Sequence, residues 1–392
     1  MIDVTVERVA HGGVCVGRAD DGRVVFLRHT LPGERVRAVV TEEHTNFLRA
    51  DAVDVLVGSP DRVAPPCPHA GPGHCGGCDW QHVALPAQRA LKASVVHEQL
   101  QRLARLDLPV VVEPLPDDGL GWRTRVGFAV GSDGVAGLHR HRSHEIEPIR
   151  NCLIAHPLIQ AAAIAAKKWP GAARVDVTAA VATGERMVAV TQRKGRQRQR
   201  RDRPFVTEQA VGRSWRVTGS GFWQVHPAAA ETLVAAVLDA LQPQVGEDVI
   251  DLYAGVGLFA GALASCVGPG GTIVAIESDA EAVADAEFNL RDLPNVHVRR
   301  GRAEHVLERI DQADLIVLDP PRAGAGADVM KRIAAIAPRR VAYVSCDPAT
   351  LARDLATAMQ SGMQVDGVRA FDLFPMTAHV ECVAVLTPAG ER

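Results

Sequence analysis

From about residue 206 onward the chain alternates short apolar runs with stretches of helical composition, and no other feature narrows its fold as much. Apolar runs at 248–252, 272–277, 296–300, 314–319, 341–345, 364–371 and 380–386 have strand length. Helical stretches at 280–293, 327–337 and 349–359 fall between them. Strands that alternate with helices assemble a mostly parallel sheet covered on both faces, an α/β, Rossmann-like domain of seven strands. The last two runs leave no room for a helix between them, so an antiparallel pair is expected to close the sheet.

Two further blocks precede this one. Residues 1–58 carry short β-rich runs, such as Val24–Leu27 and Val36–Val40, punctuated by Gly12-Gly13, Gly17, Gly22 and Pro32-Gly33, which predicts a small β-barrel. A Pro-rich stretch from Ser59 to Pro66 reads as a linker. Residues 59–205 are expected to form a mixed α+β central domain, with a helix near 87–106 and strands near 126–130 and 175–178. The third domain is then 206–392. Residues 193–203 hold seven Lys/Arg against one Asp, which suits either a solvated loop or a nucleic-acid contact. The formal charge of −3 excludes a wholly basic coat, so any polyanion binding must be local. The N-terminal residues contain no apolar signal core, and no apolar stretch is long enough to span a bilayer, so a cytoplasmic protein that does not engage a membrane is expected.

The chemistry gathers at strand ends. Cys346 follows the run Val341–Val344, and Pro348 forbids the strand from continuing, so the thiol is expected at a strand's carboxyl edge, where such sheets bind ligands. Asp319 ends another run in Asp319-Pro320-Pro321-Arg322. The turn Asp251–Gly257, with Gly255 and Gly257, lets backbone approach a cofactor, and Glu277 ends the following run, where an acid can accept ribose hydroxyls. The third glycine of a dinucleotide fingerprint is Ala260 here, and with the Asp-Leu-Tyr lead S-adenosylmethionine fits better than a dinucleotide. A core cysteine needs no polar turn around it, whereas a thiolate is the practical protein nucleophile for an electron-poor carbon. Glu381 enters an apolar run, and a buried carboxylate is paired or functional. Cys15, Cys266 and Cys382 read as packing residues.

Phe222-Trp223-Gln224, Asp251–Gly255, Asp319–Arg322, Ser345–Asp354 and Phe371–Glu381, in that order, resemble the motifs of the RNA uracil-C5 methyltransferases, the makers of 5-methyluridine. The first block resembles a TRAM domain, a small RNA-binding barrel. The resemblance implies Cys346 as nucleophile and Glu381 as base, with Gln224, Tyr253, Glu277 and Asp319 lining the S-adenosylmethionine site. It implies addition of the thiolate at C6 of uracil, methylation at C5 and removal of the C5 proton, on a base that has left its stack. Three positions depart from the family: His226 and Asp347 stand where Asn is usual, and Leu258 follows the second glycine in place of an Asn-like side chain. Amino-methylating enzymes share the Asp-Pro-Pro element but need no cysteine, and cytosine-C5 enzymes carry a Thr-Cys context that is absent here. A non-catalytic iron–sulfur RNA-binding protein with a vestigial third block is the rival from outside catalysis.

Cys67, Cys75, Cys78 and Cys152 supply four soft ligands, three of them around the Gly76-Gly77 turn. Four thiolates suit an iron–sulfur cluster or a structural zinc ion, and His69, His74 and His82 keep zinc open. Cys75-Gly-Gly-Cys-Asp-Trp-Gln-His82 resembles the iron–sulfur subgroup of the family and implies a 4Fe–4S cluster, and with the barrel it points to ribosomal RNA as substrate, with transfer RNA as the alternative. No obligate protein partner is inferred. Arg123, Arg125, Arg140 and Arg142, at alternating positions, predict one basic face toward RNA.

Overall fold

A computed structural model of the chain describes residues 1–193, 199–200, 205–219 and 221–390. Strands β1 (Ile2–Val9), β2 (Cys15–Arg18), β3 (Val24–Arg28), β4 (Arg35–Glu43) and β5 (Phe47–Val57) close into a barrel in the order β1-β2-β3-β5-β4. Alternation along each strand buries Val4, Val6, Val25, Leu27, Val36 and Ala38 in its centre.

The middle of the chain divides its allegiance. Helix α1 (Leu85–Gln99), prolonged by a wider turn to Ala104, and β6 (Val112–Glu113) lie on the C-terminal sheet. The remainder builds a second sheet from β7 (Arg125–Val130), β8 (Ala136–His139), β9 (Ile146–Glu147), β10 (Ala172–Ala180), β11 (Glu185–Gln192) and β12 (Gln199–Arg200), with the short α2 (Pro157–Gln160) before β10. Its order is β12-β11-β10-β7-β8-β9. Of the basic run at 193–203, Arg193 turns inward to donate to the carbonyls of Val130 and Ala172. The rest of that run, apart from the backbone of β12, lies outside the described residues. A hairpin, β13 (Phe205–Ala210) and β14 (Arg213–Thr218), carries the chain into the third block.

There α3 (Ala229–Leu241) precedes β15 (Val249–Leu252), α4 (Leu258–Val267), β16 (Ile273–Glu277), α5 (Ala280–Leu290), β17 (Val296–Arg300), α6 (Ala303–Leu307), β18 (Leu315–Leu318), α7 (Ala327–Ile336), β19 (Arg340–Ser345), α8 (Pro348–Gln360), β20 (Met363–Phe371) and β21 (Glu381–Pro388). The strand order is β17-β16-β15-β18-β19-β21-β20-β6, with β21 antiparallel to both neighbours. The seven expected strands are all present, and β6 adds an eighth through two parallel pairings, Ala370 with Val112 and Phe371 with Glu113. Every residue of β15 and β18 is buried, because helices cover both faces; this is why those strands read as continuous apolar runs. The chain winds outward from β15 to β17 and then returns to the other side of β15 with β18. The reversal opens a crevice beyond the carboxyl ends of β15 and β18. No helix among the described residues is long and apolar enough to cross a membrane.

Candidate active site

The crevice is shaped first by the turn after β15. Tyr253, Gly255 and Gly257 all take left-handed backbone there, with φ of 61°, 55° and 92°. Asp251, wholly buried beneath the turn, accepts from the Ala260 N–H at 2.9 Å and so fixes the start of α4. A Cβ on Gly257 would meet Leu290 Cδ1 at 2.6 Å, so this glycine serves the close approach of turn and α5 and does not line the crevice. Glu277, at the tip of β16, accepts from Gly255 N at 3.0 Å with one oxygen. Its other oxygen accepts from Ser278 N and Asp279 N at 2.6 and 2.8 Å. The carboxylate thus ties two neighbouring strand tips together.

Gln224, Tyr253, Gly255, Glu277, Asp319, Cys346 and Glu381 line one cavity of ≈ 1340 Å³. Asp319 follows β18, Cys346 follows β19 and Glu381 opens β21, so three adjacent strands deliver two carboxyls and a thiol to one edge. Burial pushes Asp319 up to about 7. Burial, with the Asp319 charge added and the Arg322 guanidinium opposing, raises Glu381 well above the carboxylate range. Cys346 is pushed up to about 11 by burial and by Glu381, again eased by Arg322. Two buried carboxyls repelling one another beside a neutral thiol make a site that favours a cationic ligand. Other residues also line the cavity. Trp122 and Arg123 come from the central block, Gly12 from the barrel, and Phe222 stands 64 % exposed at the rim. Thr377 and His379 also line it; they sit inside a motif already singled out, and that position was their signal.

A second cavity, of ≈ 300 Å³, is lined by Cys67, Cys75, Cys78 and Cys152 and shares Gly76, Gly77, Arg123 and His141 with the first. A Cβ on Gly76 would meet His141 Cα at 2.7 Å, which is why the turn between the thiols holds glycine there. Burial, eased by Gln81 and reinforced by Cys152, Cys75 and Cys67, pushes Cys78 up to about 12. Among the described residues no three His, Cys, Asp or Glu side chains converge on a point that could hold one metal ion. His69 and His74 each place Nδ1 3.1 Å from Glu147 Oε1, and His82 sits beside the Thr30 carbonyl.

A family model described as tRNA (Uracil-5-)-methyltransferase matches residues 166–389, and one for the TRAM domain matches residues 1–53. The chain belongs to the tRNA (uracil-5-)-methyltransferase family. Among its relatives, an uncharacterized RNA methyltransferase of Streptomyces coelicolor is 50% identical, covering 99% of this chain and 93% of that protein. Another, of Bifidobacterium longum, is 36% identical, covering 98% of this chain and 96% of that protein. The fold matches a crystal structure of Pyrococcus abyssi tRNA (uracil-54, C5)-methyltransferase in complex with S-adenosyl-L-homocysteine, with TM-score 0.75, 22% identity, and coverage of 98% of this chain and 99% of that one. As a family member the chain is an RNA uracil-5 methyltransferase that uses S-adenosylmethionine.

His226, Leu258 and Asp347 each have a local structural role. His226 is buried, with Nε2 2.9 Å from Asp117 and Nδ1 accepting from Ala228 N, so it anchors the approach to α3. Leu258 is buried in the first turn of α4 against the core. Asp347 caps α8, accepting from Ala349 N and Thr350 N at 3.0 and 2.9 Å. One expectation is corrected. The expectation fails for one of the four arginines: Arg125 is turned inward to the Gly221 carbonyl and Glu208, whereas Arg123, Arg140 and Arg142 together line the four-cysteine cavity, Arg140 paired with Glu145 and Glu147 and Arg142 with Glu42. Only Arg123 reaches the active-site cavity. Strand alternation explains Arg125, since its neighbours Val126 and Phe128 fill the opposite face and the hairpin β13–β14 covers its own.

Proposed function

We propose that this enzyme methylates C5 of a uridine in large-subunit ribosomal RNA through a covalent Cys346 adduct, with Glu381 as the base. The observation that carries the reading is the meeting of Cys346, Asp319 and Glu381 on one cavity at the sheet's point of reversal. The Gly255 turn, Gln224, Tyr253, Glu277 and Asp319 would hold S-adenosylmethionine, and the buried, mutually repelling carboxyls suit its positive sulfonium. When bound, that group supplies an electrophilic methyl to C5.

Uracil C5 alone is a weak nucleophile. The Cys346 thiol gives up its proton to solvent in the open cavity, and the thiolate lone pair forms a bond to C6 while the C5–C6 π electrons move into an enolate shared between C5 and O4. Once C5 carries the methyl, Glu381 takes the C5 proton; those electrons restore the C5–C6 double bond and expel the thiolate. A carboxyl whose proton affinity is raised by burial is a stronger base when ionised. Arg322, which favours both the Cys346 thiolate and the Glu381 carboxylate, assists each at its step. A cavity fed from the barrel, the central block and the catalytic sheet suits a folded RNA from which one base must be extracted.

We infer a 4Fe–4S cluster at the four-cysteine cavity. Four thiols line one cavity, and a 4Fe–4S cluster takes one cysteine per iron. Methyl transfer moves no net electron, so the cluster's part is to hold the Cys67–Cys78 loop.

The test uses Cys346→Ala and Glu381→Gln with S-adenosylmethionine and RNA. Cys346→Ala is expected to lose methylation, and Glu381→Gln to accumulate a protein–RNA adduct on a denaturing gel, because elimination stalls without the base. Turnover by Cys346→Ala at the parent rate overturns the covalent mechanism.

A further inference from the structure

The turn joining β1 to β2, Ala10–Val14, reaches both segments that carry the reacting groups. It is a tight turn, with Ala10 N donating to Val14 O at 2.7 Å and Gly13 N to Ala10 O at 3.1 Å, and Gly12 and Gly13 hold φ of 84° and 81°. On one side His11 Nε2 lies 3.2 Å from Asp347 Oδ2, and Asp347 directly follows Cys346. On the other, Gly13 lies so close to Ala378 that a Cβ there would overlap it, and Ala378 is three residues before Glu381. Trp80 locks that side, donating from its ring to Gly13 O at 2.9 Å and from its backbone to Met376 O at 3.0 Å. Gly12 itself lines the active-site cavity.

We propose that this barrel turn is a clamp that sets Cys346 relative to Glu381, with His11 as the positioning residue that acts on Cys346 through Asp347. Asp347 is suited to the task because its two oxygens divide the work. Oδ1 caps α8 through the N–H groups of Ala349 and Thr350, and Oδ2 faces His11. The Ser345 hydroxyl and the Asp347 backbone close the same turn from below. Sideways movement of Asp347 therefore carries Cys346 with it, on a short rigid path from the barrel wall to the thiol. The barrel becomes part of the catalytic apparatus as well as a surface for RNA.

The charged groups around the contact define its pH response. His11 faces Asp347 and Arg353 from the start of α8 and Glu98 from α1, and Asp347 also acts on His379. The Asp347 contact raises His11 above its usual 6.5, while burial and Arg353 oppose it. Burial would raise Asp347, but His11 and the two capping N–H groups outweigh it and hold it down to about 2. The ion pair is therefore complete below pH 6.5 and fades as pH rises through the raised His11 value. A neutral imidazole still donates from Nε2, so the contact weakens above neutrality without vanishing.

The inference depends on Cys346 being the nucleophile, and the experiment separates the two. Full-length parent, His11→Ala, His11→Gln, Asp347→Asn and Cys346→Ser enzymes react with transcripts of large-subunit ribosomal RNA and of transfer RNA that carry 5-fluorouridine, whose fluorine blocks elimination. The rate of covalent adduct formation is followed from pH 6 to 9, alongside the Kd values for RNA and S-adenosylmethionine. His11→Ala and Asp347→Asn are expected to form adduct about ten- to a hundredfold more slowly with both Kd values unchanged, up to the roughly hundredfold loss that misplacement of a reacting group by about 1 Å brings. His11→Gln, a neutral donor of similar reach, is expected to recover most of the rate and to lose the decline of the His11 contribution above pH 6.5. Adduct formation by His11→Ala at the parent rate, a loss fully explained by weaker RNA binding, or a His11→Gln enzyme as slow as His11→Ala overturns the clamp. If Cys346→Ser forms adduct as the parent does, the covalent reading falls and the clamp with it.

Discussion

Among single residues, Asp251 has the most to say about how the site is built. It is completely buried, one oxygen accepts from Ala260 N, and the other has no hydrogen-bond partner among the described residues. Burial pushes it up to about 8, against 3.8 when exposed, with Asp319 and Glu277 adding to the rise. The folded state therefore binds more protons than the unfolded chain between pH 4 and 8, so this group lowers stability as pH rises across that window. Asp251→Asn, which copies the protonated carboxyl, should melt at nearly the parent temperature at pH 4 and increasingly above it up to pH 8. A difference in melting temperature that does not grow with pH would show that Asp251 is ionised in the fold. The same environment explains why Glu381 stands out in the sequence. A carboxylate such as Glu381 in an otherwise apolar strand is costly without a purpose, and its type and position could be read directly. His11 could not be read in this way: nothing local to Ala10-His11-Gly12-Gly13 indicates that it meets Asp347, 336 positions later.

At the scale of elements, strands covered on both faces declare themselves as apolar runs, and the seven-strand alternation followed from this. Elements recruited across domain lines were hidden. Helix α1 shows little apolar stripe because it buries Lys92 and Gln88 as well as Val95 and Val96, each matched by a distant partner. Lys92 Nζ meets Asp372 at 2.5 Å, and Gln88 donates to the Trp80 and Val83 carbonyls while accepting from Met376 N. Strand β6 pairs over only two residues, too short to leave a period. These contacts, with Asp79 accepting from Ala378 N at 3.1 Å, lash the segment before Glu381 to the stretch just after Cys78. The four-cysteine loop therefore has a mechanical path to the active site. Anaerobically prepared enzyme should carry about four irons per chain. Cys75→Ser should lose iron, melt earlier, and lose RNA affinity more than S-adenosylmethionine affinity, since Gly76 and Gly77 wall the shared cavity and the cofactor turn lies on the sheet. Stoichiometric zinc without iron in that preparation would replace the cluster with a zinc site.

At the scale of the whole molecule, the barrel, the central block and the C-terminal sheet open onto a single cavity, and that arrangement bears on which RNA is bound. The chain is slightly acidic, so phosphate contacts are local. The barrel offers instead a stacking surface: Phe26 and Phe47 meet edge to face, His44 stacks on Phe47, and Arg49 lies over both phenyl rings. Aromatic platforms of this kind bind unstacked bases, at about 1–3 kcal/mol per base. A cavity walled by the barrel, the central block and the C-terminal sheet suits an RNA whose loop is opened on binding. A compact loop presented by a small RNA needs fewer such contacts than a uridine embedded in a large folded one. Methyl labelling of unmodified large-subunit ribosomal RNA and transfer RNA side by side, with nucleoside mass spectrometry and site mapping, should therefore yield 5-methyluridine in the ribosomal RNA. Labelling confined to transfer RNA would reassign the substrate while leaving the chemistry of Cys346 and Glu381 intact, whereas a methylated nucleoside other than 5-methyluridine would reject that chemistry as well.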